Sequence, residues 1–167
     1  MLVLGIDPGT VRIGYGLVRG GAQQLEAVDF GCIRVKKAES APQGLVLIFD
    51  AVKELIHLHR PDVMAVEQLF FNKNVRSALA VGQARGAIIL AGAQEGLPVY
   101  EYTPLELKSA VVGYARADKR QVQHMTCQLL QLKQVPKPAD AADALACAIT
   151  CLVTQQTKQR MERGQPS

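Results

Sequence analysis

Tryptophan is absent from this 167-residue chain, and aromatic residues make up only 5% of it. A core without large rings must be built mainly from Leu, Ile, Val and Ala, so an aromatic side chain outside that core needs an explanation. No apolar run approaches the roughly 18 residues needed to cross a bilayer. The first residues include no basic leader, and Asp7 interrupts the opening apolar stretch. We therefore expect neither a membrane span nor a secretory signal.

Cysteine is also scarce, and no two of the four cysteines form a Cys-x-x-Cys pair. This spacing disfavours a zinc site or a disulfide framework and favours buried thiols in a reducing, cytoplasmic compartment. Lys and Arg number 19 against 15 Asp and Glu, which gives a net charge of +4. Such a small excess permits a polyanionic partner without requiring one.

The first third of the chain has the pattern of three strands, at residues 2–7, 13–18 and 24–35. The turns between them are too short for crossover helices, so these strands must pair antiparallel. Two further strands, at residues 62–67 and 97–102, follow segments with helical periodicity and are expected to join in parallel. The predicted fold class is α/β, with a mixed five-stranded sheet flanked by helices.

The remaining segments are predicted to be helical. A helix rich in Gly and Ala is expected at residues 75–94, and the last helix at residues 140–154. At this chain length one domain is expected, and we place it at residues 1–154, followed by a flexible polar tail at 155–167. The small residues of 75–94 would let another backbone approach closely, although ordinary packing on the sheet would also use them.

Four carboxylates fall at the ends of these predicted elements. Asp7 ends the first strand and Glu67 the fourth, while Asp140 and Asp143 open the last helix. Residues three apart on a helix share a face, so Asp140 and Asp143 can point at one object. Gathered carboxylates repel one another unless a cation lies between them, and Mg²⁺ prefers oxygen ligands.

Each acid also has a simpler interpretation. Asp7, before Pro-Gly, can initiate a turn, Asp140 can cap the last helix, and Asp143 suits the positive end of its dipole. Glu67 has no such simple structural role. It follows an apolar run that is expected to be buried, so its charge needs a partner or a cleft. A metal site requires that the four carboxylates converge and that no arginine or lysine already neutralises them.

Basic residues cluster between positions 105 and 137, where six of them stand against two acids. Scattered surface lysines are the common alternative, but a cluster beside an acidic site suits a groove that follows phosphates. Phe70 and Phe71 lie in a polar loop directly after Glu67. They either fold back into the core or stack on an unpaired base.

Six ordered motifs resemble those of the bacterial RuvC Holliday junction resolvases over about residues 1–152. They are Gly5-Ile6-Asp7-Pro8-Gly9, Gly14-Tyr15-Gly16, Glu67-Gln68-Leu69-Phe70, Gly82-Gln83-Ala84-Arg85-Gly86, Gln121-Val122-Gln123-His124-Met125 and Asp140-Ala141-Ala142-Asp143-Ala144-Leu145-Ala146. The resemblance implies a ribonuclease-H-like nuclease domain and an endonuclease that resolves four-way DNA junctions in recombination and repair. Paired symmetric nicks would leave a 5′-phosphate and a 3′-hydroxyl.

The resemblance also implies the site. Asp7, Glu67, Asp140 and Asp143 occupy the family's catalytic positions and would hold two Mg²⁺ ions, with Mn²⁺ as a substitute; some relatives carry His in place of Asp140. Lys108 and Lys119 match basic positions expected to contact DNA, and Phe70 matches the stacking residue. The implied partners are junction DNA, a second copy of the chain and a branch-migration motor of the RuvA and RuvB type.

A homodimer is expected for a second reason. A junction presents two equivalent strands, whereas one chain of this size supplies a single set of acids, so a two-fold pair of chains matches the substrate. We expect the helix at 75–94 to supply much of that interface.

Three other functions fit parts of the sequence. A related nuclease acting on structured RNA or other branched DNA would use the same acids. The Gly5-to-Thr10 segment also resembles the phosphate loop of actin-like ATPases and sugar kinases, but those need two lobes and this chain provides one. A catalytically silent junction-binding module would gain nothing from the four acids.

Overall fold

A computed structural model describes residues 1–20, 24–35, 40–68, 75–162 and 164 of the chain. Phe70 and Phe71 lie outside the described residues. Within these ranges, five strands and five helices follow one another as β1 (Leu2–Asp7), β2 (Arg12–Gly20), β3 (Leu25–Arg34), α1 (Ala41–His59), β4 (Val63–Glu67), α2 (Val75–Gln94), β5 (Val99–Tyr102), α3 (Pro104–Val112), α4 (Lys119–Leu129) and α5 (Ala139–Glu162).

The strands form one mixed sheet in the order β3-β2-β1-β4-β5. The three amino-terminal strands pair antiparallel, and β4 and β5 join β1 in parallel. The predicted fold class and both modes of pairing are confirmed. This order puts β1 at the centre, with β4 as its parallel neighbour.

Side chains along the central strands point alternately to the two faces of the sheet, so the hydrophobic core consists of two clusters, one on each face. On β1, Leu4 and Ile6 face α1 and α2, while Val3 faces α5 together with α3 and α4. Both faces of β1 and β4 are therefore covered, which explains why these strands read as nearly continuous apolar runs.

Helix α5 lies directly on the backbone of the sheet. A methyl group added at Gly5 would collide with the backbone of Ala144, and one added at Gly14 would collide with the backbone of Asp140. The facing stretch of α5 is rich in buried alanine. Small residues on both surfaces thus allow a close approach, and this approach sets the position of the start of α5 relative to β1 and β2.

The helix boundaries mostly follow local chemistry. Thr103 caps α3 through a capping box with Glu106, and Asp118 caps α4 through a capping box with Gln121. These boxes satisfy backbone donors at the first turns and fix where the helices begin.

The predicted end of α5 is wrong, and so is the alternative interpretation of Asp140 as its cap. The helix continues past residue 154 to Glu162, because the segment after 154 consists largely of strong helix formers such as Gln, Lys and Arg. Asp140 is not the helix cap, since it lies inside the first turn, after Ala139. The division into a domain and a flexible tail stays a prediction.

Within the described parts of the chain, none of the helices has both the length and the apolar character needed to span a bilayer.

We predict that Gly14→Ala destabilises the fold by about 2–3 kcal/mol, because the added methyl forces α5 away from β2 and the helix backbone cannot yield. Gly82→Ala is the matched control, since nothing lies within 4 Å of its added methyl and alanine favours the helix. Urea unfolding of both variants measures the difference. Equal stabilities would show that the close approach of α5 is unimportant.

Candidate active site

Asp7 and Glu67 are brought together by strand pairing. Residues Ile6 and Val66 are register partners in the parallel pair β1–β4. Asp7 and Glu67 are the next residues on these strands, so they lie side by side at the carboxyl ends of β1 and β4. Asp7 lies two residues after Gly5, and Glu67 two residues after Ala65, both of which face α5. Because strand side chains alternate, both carboxylates belong to the α5 face.

Helix α5 delivers the other two acids to the same place. Its first turn lies on Gly14, the register partner of Asp7, and carries Asp140. Asp143 follows three residues later in the same helix. The predicted convergence of three distant segments is thus present in the fold.

The electrostatics of Asp7 and Glu67 reflect this crowding. Burial, followed by the charges of Glu67, Asp143 and Asp140, raises the pKa of Asp7 to about 8. Burial and then the charge of Asp143 raise the pKa of Glu67 to about 7. Lys119 opposes both shifts without cancelling them. Lys119 therefore balances the negative charge of the cluster only in part.

Helix α4 holds Asp143 from one side. The Lys119 Nζ lies 2.6 Å from Asp143 Oδ2, and the Gln123 Nε2 donates a 3.5 Å hydrogen bond to Oδ1. Lys119 and Gln123 are four residues apart and so lie on one face of α4. The carboxylate of Asp143 is consequently bound at both oxygens.

Asp140 is held more loosely. The Arg12 Nε lies 3.6 Å from Asp140 Oδ2, and this buried oxygen has no hydrogen-bond partner among the residues that the structure describes. The expectation that all four acids are free of basic partners is therefore wrong for Asp140 and Asp143. Basic side chains turn towards these acids because they relieve part of the repulsion within the cluster.

The acids open into a cleft. A cavity of about 280 Å³ is lined by Asp7, Pro8, Glu67, Gln68, Pro104, Lys119 and Asp143. A neighbouring cavity of about 150 Å³ shares several of these residues and reaches Lys108 on α3. Both lysines expected to contact DNA thus line the cleft, whereas Asp140 is not among the lining residues.

The donor set fits a hard divalent cation in its chemistry. Four carboxylates provide only oxygen ligands, and the raised pKa values of Asp7 and Glu67 show negative charge that a cation would stabilise. As the side chains stand, no three His, Cys, Asp or Glu residues in the described ranges are arranged to hold a metal ion. A metal bound to Asp143 would have to share this carboxylate with Lys119 or displace the lysine from it.

Four further residues of the site were not predicted as site residues from the sequence: Arg12, Gln68, Pro104 and Gln123. A signal was available for Gln123, because it lies one helical turn after Lys119 in a predicted helix. For Arg12 the sequence offered no signal, because its approach to Asp140 depends on the packing of β2 against α5.

A mixed sheet in the order β3-β2-β1-β4-β5, with acids on two adjacent parallel strands and on a helix crossing one face, defines the ribonuclease-H-like class of nucleases. Within this class the chain belongs to the RuvC family. The family model described as "Crossover junction endodeoxyribonuclease RuvC" matches residues 3–151.

Individual members of the family are similar in sequence to this chain over nearly its whole length. The crossover junction endodeoxyribonuclease RuvC of Moorella thermoacetica is 56% identical over 149 residues, covering 89% of each chain. That of Brevibacillus brevis is 53% identical over 150 residues, covering 90% of each. The solved structure of Thermus thermophilus RuvC in complex with Holliday junction substrate has a TM-score of 0.88 at 36% identity, covering 95% of this chain and 96% of that chain.

We predict that the metal-free protein loses stability as the pH rises from about 5 to 8.5. Asp7 and Glu67 bind protons more tightly when folded than when unfolded, so their contribution is largest at low pH and disappears as they ionise. Asp7→Asn should therefore raise the unfolding free energy at pH 8 by on the order of 2–4 kcal/mol and flatten the dependence. Urea unfolding in EDTA measures both effects, and a wild-type stability that rises with pH would contradict them.

Proposed function

We propose that this protein cuts four-way (Holliday) DNA junctions by paired symmetric nicks, leaving a 5′-phosphate and a 3′-hydroxyl. The observation that carries the proposal is the convergence of Asp7, Glu67 and Asp143 on one cleft, with Asp140 beside it, in a chain that belongs to the RuvC family. The Thermus thermophilus relative was solved with a Holliday junction substrate. Family membership speaks against the phosphate-loop alternative.

The four acids are proposed as catalytic residues and as ligands of two Mg²⁺ ions, with Mn²⁺ as a substitute. Divalent ions bound there would lower the pKa of an attacking water and stabilise the leaving 3′ oxygen. Asp7 would gain most from bound cations, because the charges of all three other acids act on it. Its place on the central strand also makes it the most rigidly held of the four.

The DNA contacts in this proposal come from three sides. Lys108 and Lys119 line the cleft from α3 and α4 and would bind phosphates next to the scissile bond. Phe70 and Phe71 follow Glu67 in the chain, and we assign them to stacking on an unpaired base at the junction centre. In recombination and repair in the cytoplasm, the protein would act with a branch-migration motor of the RuvA and RuvB type.

A homodimer completes the proposal, and α2 offers a suitable face. Leu79 and Leu90 are 65% and 59% exposed, and open space lies beside Gly82 and Gly86. These four residues recur at steps of three and four, so they lie along one side of the helix. A second copy packed there would cover the exposed leucines and place two sites on one junction.

We predict that the wild-type protein with Mg²⁺ nicks a synthetic four-way junction at symmetric positions and leaves matched duplex and single strands intact. Asp7→Asn should bind the junction with near wild-type affinity and cut it at least about a thousandfold more slowly, because the central ligand is lost. Denaturing gels and binding titrations give the two readouts. Efficient cutting by Asp7→Asn at saturating Mg²⁺, or equal cutting of duplex by the wild type, would refute the proposal.

We predict that Leu90→Glu shifts the protein from dimer to monomer at micromolar concentration, because it buries a charge in the proposed interface. Leu58→Glu is the matched control, since Leu58 on α1 is also exposed, at 74%. Sedimentation velocity distinguishes the states. A dimer that survives Leu90→Glu but not Leu58→Glu would move the interface to α1.

A further inference from the structure

We propose that Lys119 is an exchangeable counter-ion, which neutralises Asp143 in the metal-free protein and transfers to a DNA phosphate when a divalent metal binds. Metal binding and DNA binding would then favour each other through this one side chain. The inference rests on the proposed function and adds a mechanism of coupling within the same site.

The pair joins a movable cation to a fixed acid. The side chain of Lys119 is 63% exposed, whereas that of Asp143 is only 16% exposed. The backbone of Lys119 is fixed at the start of α4 by the capping box of Asp118 and Gln121. Its flexible four-carbon stem leaves the ammonium group free to move while the helix stays in place.

The lysine and a metal compete for the same oxygen. The Lys119 Nζ lies 2.6 Å from Asp143 Oδ2, so its positive charge repels a metal ion that approaches the same oxygen from the cleft. Gln123 donates to the other oxygen, Oδ1, from the same face of α4. This contact can keep the carboxylate oriented after Lys119 has left, so exchange does not require Asp143 to rotate.

The destination of the lysine lies in the same cleft. Lys119 lines both cavities that contain Glu67 and Asp143. A divalent ion bound to these acids would bring substrate phosphate oxygens close, since Mg²⁺ sites combine carboxylates with phosphates. The displaced ammonium group would then find a new negative partner within reach, and the resulting linkage must act equally in both directions.

Arg12 does not share this arrangement. Its contact with Asp140 is longer, at 3.6 Å, and neither residue is among those lining the two cavities. We therefore assign the exchange to Lys119 alone.

The first test measures Mn²⁺ affinity without DNA, by electron paramagnetic resonance of the free ion. Lys119→Met should bind Mn²⁺ about two- to fivefold more tightly than the wild type, because the competing ion pair is gone. Lys108→Met is the matched control, since Lys108 lines the neighbouring cavity and forms no ion pair among the described residues. It should tighten Mn²⁺ binding less. Weaker binding by Lys119→Met would overturn the proposal, and so would equal tightening by both variants.

The second test compares junction affinity in EDTA and in Ca²⁺, with intact strands verified on denaturing gels. Loss of Lys119 should weaken binding in EDTA, because it leaves Asp143 unpaired, and several-fold more in Ca²⁺, because a phosphate contact is then lost as well. Loss of Lys108 should weaken binding equally in both. A Lys119→Met defect of the same size in both conditions would show that no exchange takes place.

These outcomes are separable from failure of the proposed function. A wild-type protein that binds no Mn²⁺ and cuts no junction with Mg²⁺ would reject both the function and the exchange. Junction cutting by the wild type, together with a Lys119→Met protein whose Mn²⁺ affinity falls, would leave the nuclease assignment standing and make Lys119 a residue that positions Asp143.

Discussion

Mutual repulsion among four carboxylates is the constraint around which this site is built. Asp7 and Glu67 are crowded and mostly removed from water, so their ionised forms are unfavourable and their pKa values rise to about 8 and about 7. A fold selected for stability alone would separate such groups or replace them with apolar residues. Their presence together indicates a state in which positive charge is added, from metal ions, from the protein's own lysine and arginine side chains, or from both.

The rest of the architecture keeps the repelling groups in place. Hydrogen bonding between β1 and β4 fixes two of the acids, and the close contact of α5 with Gly5 and Gly14 fixes the helix that carries the others. Capping boxes at α3 and α4 set the starts of the helices that bring Lys108 and Lys119 to the cleft. Backbone interactions thus hold the acids together, while side chains respond to their charge.

The parts of this structure that depend on local pattern could be predicted from the sequence. The mixed sheet, the pairing directions and the placing of Asp7 and Glu67 at strand ends follow from short turns, from alternation and from helical segments before the last two strands, whereas the strand order was not predicted. The ion pairs of Asp140 and Asp143 could not be predicted, because Arg12 and Lys119 approach them only through packing of β2 and α4 against α5. The end of α5 was also misjudged, since a polar segment of strong helix formers continues a helix whose start is already buried.

Because Asp7 and Glu67 follow register partners on adjacent parallel strands, their separation derives from the repeat of the sheet, in which neighbouring strands lie about 4.8 Å apart. That distance depends on main-chain geometry and not on the identity of the side chains packed beneath it. Changes in the packing of α1 or α2 that leave this strand pairing intact therefore leave the backbone spacing of the two acids unchanged. The distance between the two acids is thus set by hydrogen bonding between strands, and the layers packed on either face of the sheet do not determine it.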